Sequence, residues 1–285
     1  MPNGHSPTVR RRRLAAELRR LREERGHTIE HVARELEMHP TTLSRIETGR
    51  RGILPRDLKP LLEVYGIVGD QKENLLILAR QARQRGWWQT YGDLLPSEYS
   101  TLIGLEAEAG EIRTYQHQVV PGLLQTEDYA RAVIRAFRRT DTDEEIEQRV
   151  RVRLERQARL STDPALNLWV VLDEAVLRRT VSGPEVMRRQ LQHLVEMARR
   201  PSVTLQVLPF AAGEHAAMTS PFVILRFPEP LDPDVVYLEN HTGGLYVEEP
   251  PDVTRYTLVF DHLGAAALPP RESTAFIAQA AQDQP

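Results

Sequence analysis

Between Thr28 and Arg51 the apolar residues are spaced so that two short helices have to cross at close range. Ile29, Val32, Ala33 and Leu36 recur on one side of the first, and Leu43 and Ile46 on one side of the second. Helices this short have little stability of their own in water, so each must bury its apolar stripe against a neighbour. Ala33 falls where the two must cross most closely, and a larger side chain there would hold them apart. Thr28 is a capping residue, Glu37-Met38-His39 makes the turn, Pro40 suits a first helical position, and Gly49 suits a helix end. A supporting helix, a tight turn and a second helix with an exposed first turn are the parts of a helix-turn-helix. In that motif the second helix meets base edges in the major groove of DNA.

Flanking residues complete a domain. Leu14, Leu18 and Leu21 recur at helical spacing from Val9 to Arg25, with Gly26 as a stop. Leu58, Leu61, Leu62 and Val64 predict a helix over 55–65, and Leu75, Leu76, Leu78 and Ala82 one over 71–85. The reading is an all-α five-helix domain over 9–85, preceded by a disordered start over 1–8 with Pro2, Gly4 and Pro7. An aromatic linker over 86–99 follows. There the Trp87-Trp88 pair, with Tyr91 and Tyr99, either seals one domain against the next or stacks on a base or ligand.

The open face of the second helix supplies the candidate site. Thr41, Thr42 and Arg45 are expected to read bases: Arg45 offers two donors to a guanine, and a threonine can bond a base edge or touch a thymine methyl. Thr28, Ser44, Arg50 and Arg51 are expected on the DNA backbone. Charge placement agrees with this. Residues 1–66 hold 14 Lys and Arg against nine Asp and Glu, whereas the whole chain is at −3. Lys59 and Lys72 are the only lysines, so abundance of arginine is compositional and only its placement argues for phosphate contact.

From residue 100 to 285 the pattern changes to mixed α and β. Helices are predicted over 102–109, 127–137, 143–160, 183–199, 252–267 and 273–281, and strands over 112–120, 168–172, 203–208, 222–227, 235–238 and 245–247. No catalytic, cofactor or metal site is readable. His215, His241 and His262 lack ligand spacing, and Asp173-Glu174 at a strand end reads as a helix cap beside a surface charge. Gly243-Gly244 reads as a hairpin turn, and Ser182-Gly183-Pro184 as the start of a helix. The absence of cysteine excludes disulfides, thiolate nucleophiles and Cys-based zinc sites. No apolar run is long enough for a signal peptide or a membrane span, so a soluble cytoplasmic protein is expected.

Two family resemblances sharpen these expectations. Leu18-Arg19-Arg20-Leu21-Arg22-Glu23, Thr28, Ala33 and Leu43-Ser44-Arg45-Ile46-Glu47-Thr48-Gly49 resemble the XRE (Cro/C1-type) helix-turn-helix family. The resemblance implies a third helix in the major groove, base contacts from Thr41 and Arg45, and an internal ion pair between Arg22 and Glu47. Pro40 departs from it, standing where a base-contacting Gln is frequent. The stretch Val119-Val120-Pro121-Gly122-Leu123-Leu124-Gln125-Thr126-Glu127-Asp128-Tyr129-Ala130 is similar to the signature of WhiJ-like, or Scr1-type antitoxin-like, actinobacterial regulators. That resemblance implies a small partner protein encoded nearby. The expected function is therefore a homodimeric transcriptional regulator on double-stranded DNA, modulated through its C-terminal domain by a partner protein or a small-molecule effector. The alternative gives the C-terminal domain an enzymatic activity, with the helix-turn-helix as its targeting device.

Overall fold

The computed structural model describes residues 9–82, 87–92, 94–228, 232–241 and 243–284. The start expected to be disordered at 1–8, and the end of the fifth helix with Gly86, lie outside the described residues. The chain divides into two compact units, Met1–Glu108 and Ala109–Pro285. The first is helical and the second joins helices to a six-stranded mixed sheet, so the α-then-α+β class expected from the sequence holds.

Helices α1 (Val9–Glu24), α2 (Ile29–Glu35), α3 (Pro40–Glu47), α4 (Pro55–Val64) and α5 (Gly69–Gln81) build the N-terminal unit. Gly26 takes a φ of 67° after α1, a left-handed conformation that costs glycine nothing. The Thr28 hydroxyl accepts the His31 N–H at 3.1 Å and so caps α2. Val32 and Ala33 are buried on α2, Leu43 and Ile46 on α3, and Val32, Leu43 and Ile46 pack with Leu18, Leu58, Leu61 and Tyr65 in one core. A 3-10 turn over Trp87–Tyr91 and helix α6 (Ser97–Glu108) also group with this unit, where the sequence reading began a second domain at residue 100. Trp88 is buried, and Trp87 meets both Trp88 and Tyr91 edge-on.

The C-terminal unit is built on strands β1 (Glu111–Gln116), β2 (Asn167–Asp173), β3 (Val203–Leu208), β4 (Phe222–Arg226), β5 (Val235–Asn240) and β6 (Gly243–Val247), in the order β3-β2-β1-β4-β5-β6. The first three run parallel and the last three pair antiparallel, with β1 opposing β4. Parallel strands need long crossovers. Helices α7 (Glu127–Phe137) and α8 (Asp143–Gln157) lie in the first, and α9 (Glu174–Arg178) and α10 (Pro184–Met197) in the second. Helix α11 (Pro250–Ala266) lays Val253, Phe260 and Leu263 against Tyr115, Phe222, Ile224 and Val236 of the sheet. Helix α12 (Pro270–Gln282) packs on α10 and β3. The chain entering α12 covers the outer edge of β3: Leu268 N–H donates to the Val207 carbonyl at 2.8 Å, and the buried Ser273 hydroxyl accepts the Val207 N–H at 2.9 Å. At the other end of the sheet Gly244 has to be glycine, because a Cβ there would stand 2.2 Å from the Tyr237 ring.

Residues 119–126, which include a 3-10 turn at Gly122–Leu124 and lead into the first turn of α7, are tied down by side-chain amides. Gln190 of α10 accepts the Thr126 N–H at 2.7 Å and donates to the Leu124 carbonyl at 2.7 Å. Gln125 donates to the Val120 carbonyl and accepts from Arg153, while Gln157 donates to the Gly122 and Gln125 carbonyls. The buried Tyr129 hydroxyl accepts the Val120 N–H at 3.2 Å. An irregular segment can be buried only if its backbone groups find partners, and these amides supply them. The signature stretch is thus a packing device in which the glutamines replace a secondary-structure ladder.

Candidate nucleic-acid interface

Helix α3 starts at Pro40 and is capped by His39, whose Nδ1 accepts the Thr41 N–H at 3.3 Å. A backbone N–H can only donate, which assigns Nδ1 the acceptor role and makes the Thr41 hydroxyl, 2.8 Å away, a donor to it. With its proton so used, the Thr41 oxygen is left as an acceptor on the exposed first turn. Thr42 and Ser44 are half-buried, and the Thr42 N–H is spent on the His39 carbonyl. Arg45 is exposed one turn further on, and its guanidinium makes no ion pair or hydrogen bond among the described residues.

After α3 the chain turns at Gly49, with a φ of 69°, and the Arg51 N–H closes on the Arg45 carbonyl at 2.9 Å. Arg50 and Arg51 are exposed just past this turn. Thr28, at the start of α2, uses its oxygen as the cap acceptor and retains a hydroxyl donor. The side chains of α3 thus divide between two tasks. Leu43, Ile46 and Glu47 are buried, while Thr41 and Arg45 point into solvent one helical turn apart.

The buried acid Glu47 fixes the end of α3. Arg22 Nε donates to Oε1 at 2.8 Å and to Oε2 at 3.0 Å, and its Nη2 donates to Oε2 at 2.9 Å. Arg22 Nη1 also donates to the His27 carbonyl at 2.8 Å, and the Tyr65 hydroxyl donates to Glu47 Oε1 at 3.2 Å. The hydrogen bond to Glu47 raises the pKa of Arg22, and burial pushes the Tyr65 hydroxyl far above its ordinary value. Helix α1 and the end of α4 thereby set the orientation of α3 through one carboxylate. Sequence reasoning missed two of these residues. His39 is an unusual cap, signalled only by Pro40 after it, and Tyr65 reads as one more apolar residue of α4.

The remaining polar clusters have structural employment. Asp173 Oδ1 caps α9 by accepting the Ala175 N–H at 2.8 Å, and Oδ2 accepts from the Tyr115 hydroxyl at 3.3 Å. His215 lies beside Tyr115, whereas the His241 ring meets Phe137. Among the described residues no group of three or more His, Asp or Glu is arranged to hold a metal ion. None of their helices is long and apolar enough to cross a membrane.

A capped, exposed recognition helix locked to its supports defines a DNA-binding regulator of the helix-turn-helix class. A family model described as a helix-turn-helix domain matches residues 13–75, which include α2 and α3. A second, described as a domain of unknown function (DUF5753), matches residues 99–279, more than half of the chain, and the protein belongs to that family. No curated protein and no solved structure matches the chain.

Proposed function

We propose that this protein is a sequence-specific transcriptional regulator that reads an operator through α3, with Thr41, Thr42 and Arg45 on bases and Thr28, Ser44, Arg50 and Arg51 on phosphates. The observation that carries this reading is Arg45: an exposed guanidinium on a rigid helix with no intramolecular partner among the described residues. Arginine bidentate to guanine discriminates against a wrong base by roughly 1–3 kcal/mol. A single α3 makes too few such contacts for operator-level affinity, so the reading includes a homodimer joined through the C-terminal unit. The same unit binds a small partner protein or ligand that changes operator affinity; the resemblance of the 119–130 stretch to WhiJ-like and Scr1-type actinobacterial regulators, which implies a small partner protein encoded nearby, supports this reading. It has no catalytic role in this reading, and the protein works in the cytoplasm.

The test selects operators from random DNA and compares the wild type with Arg45→Ala on the selected site and on random DNA. Loss confined to the selected site supports base reading. Equal losses on both place Arg45 on the backbone, and no loss on either removes α3 from the interface. Sedimentation of the full chain tests the dimer, and a monomer at operator-binding concentrations rejects it.

A further inference from the structure

A cleft of about 990 Å³ opens in the C-terminal unit between α7, the residues after β1, and the turn from α9 into α10. Ligand pockets for small molecules fall in the range of roughly 300–1,000 Å³. The lining is of two kinds. Val119, Val133, Val181 and Val186 give it an apolar surface, and Phe137 stands at 60% exposure on the lining of the cleft. Arg131, Arg135, Arg179 and Arg189 give it cations against the single acid Asp128.

The four arginines are not equivalent. Arg131 is committed to Glu127, Asp128 and Glu147, Arg135 to Asp143, and Arg189 to Asp128 and Glu185. These pairs tie α7 to α8 and α10 and neutralise one another. Arg179 has no ion pair or side-chain hydrogen bond among the described residues, and the one acid of the lining, Asp128, is taken by Arg131 and Arg189. Its neighbours Thr180 and Ser182 are exposed hydroxyls on the same wall. Ser182 is held at a φ of 58°, in the left-handed region that a non-glycine residue enters only at a cost. An uncommitted cation beside an apolar floor matches an amphipathic anion: the apolar body displaces water from the valines, and the anionic group takes the guanidinium fork.

We propose that this cleft binds a small organic anion, a carboxylate or phosphate ester with an apolar body, with Arg179 as its charged anchor. A role as effector site rests on the reading of the C-terminal unit as the regulatory module. The 119–130 stretch then has a second use, since Val119 and Asp128 belong both to it and to the cleft wall.

The probe is 1-anilinonaphthalene-8-sulfonate, an apolar anion that fluoresces on binding, titrated into the full-length protein. One saturable site is expected. Arg179→Gln should weaken it at least tenfold, while the uncharged analogue N-phenyl-1-naphthylamine changes less than twofold. Ala136→Trp, on an exposed helix position lining the cleft, should remove both probes and serves as the second variant. Displacement of the probe by phenyl phosphate, by benzoate or by both supports the site and tells the two anion chemistries apart. Displacement by neither, non-saturable binding, or equal affinity in Arg179→Gln overturns it. Operator binding is measured on the same samples. A protein that binds its operator but not the probe rejects the cleft alone, and one that binds the probe but no DNA rejects the reading of α3.

Discussion

Arg22 reaches both carboxylate oxygens of Glu47 across 25 residues of sequence, with the acid side chain 2% exposed and the arginine side chain 10%. Removing one member of so buried a pair leaves the other charge without compensation, which costs about 3–5 kcal/mol. Glu47→Ala should therefore destabilise the N-terminal unit by that amount, read as loss of hydrogen-exchange protection in α1 and α3. The Arg22→Met/Glu47→Met double variant should lose less than either single one, because no charge remains stranded. A single-variant loss below ~1 kcal/mol would equate the pair with a surface salt bridge and sink this account.

Arg50 and Arg51 should behave differently from Arg45. Neutralising them is expected to weaken binding to all sequences alike and to flatten the log–log salt dependence by about one unit for each phosphate that an arginine no longer neutralises. A slope identical to that of the wild type would show that neither touches the backbone.

The His39 cap gives a finer test of Thr41. With its proton committed to His39 Nδ1, the Thr41 oxygen can only accept, and it suits the amino group of adenine or cytosine. Thr41→Val should relax selection at one operator position. His39→Ala, which frees the hydroxyl proton, should alter the base chosen there and cost roughly 0.5–2 kcal/mol of stability. Operator selection with both variants decides the matter, and an unchanged base preference in each would take Thr41 out of the readout.

Gln190→Leu should destabilise the C-terminal unit, since the Thr126 N–H and the Leu124 carbonyl lose their partner together. Each buried backbone group left unsatisfied costs about 1–3 kcal/mol. Thermal denaturation checks the sum, and a variant as stable as wild type would mean that the loop relaxes onto water.

Acid should weaken the same unit. Burial lowers the pKa of both His117 and His193, so the unfolded chain takes up protons first as pH falls. Stability is retained above the ordinary histidine value of about 6.5 and declines as pH drops from there toward the depressed folded values. His193→Gln should flatten the fall in Tm between neutral pH and mildly acidic buffer, and an unchanged pH profile would exclude His193 as a source.

The elements were legible in the chain because their signals are local. Pro40, Gly26, Gly49 and the leucine spacing mark helix ends and faces without reference to anything distant. The helices expected over 127–137 and 183–199 stand at Glu127–Phe137 and Pro184–Met197 for the same reason. Strand β1 stops at Gln116 although alternation continues to Val120, because residues 119–130 find better partners in Gln125, Tyr129 and Gln190. Short α9 has no periodicity to read; its cap Asp173 was legible at the strand end, whereas Glu174, read as a surface charge, is buried.

Local chemistry along the chain was enough to set the helix-turn-helix, the exposed residues of α3 and the change to a mixed α+β second unit, since side-chain period and capping act over a few residues. Packing over distance was needed for the order β3-β2-β1-β4-β5-β6, for the meeting of Tyr65 with Glu47, and for which of the arginines lack a carboxylate. Sheet order and ion pairing join residues tens of positions apart, and no local pattern records which distant group will fill a given site. Arg45, Arg131 and Arg179 are alike in composition. Where the fold sets carboxylates within reach it spends the charge, and where it does not the charge is left facing outward.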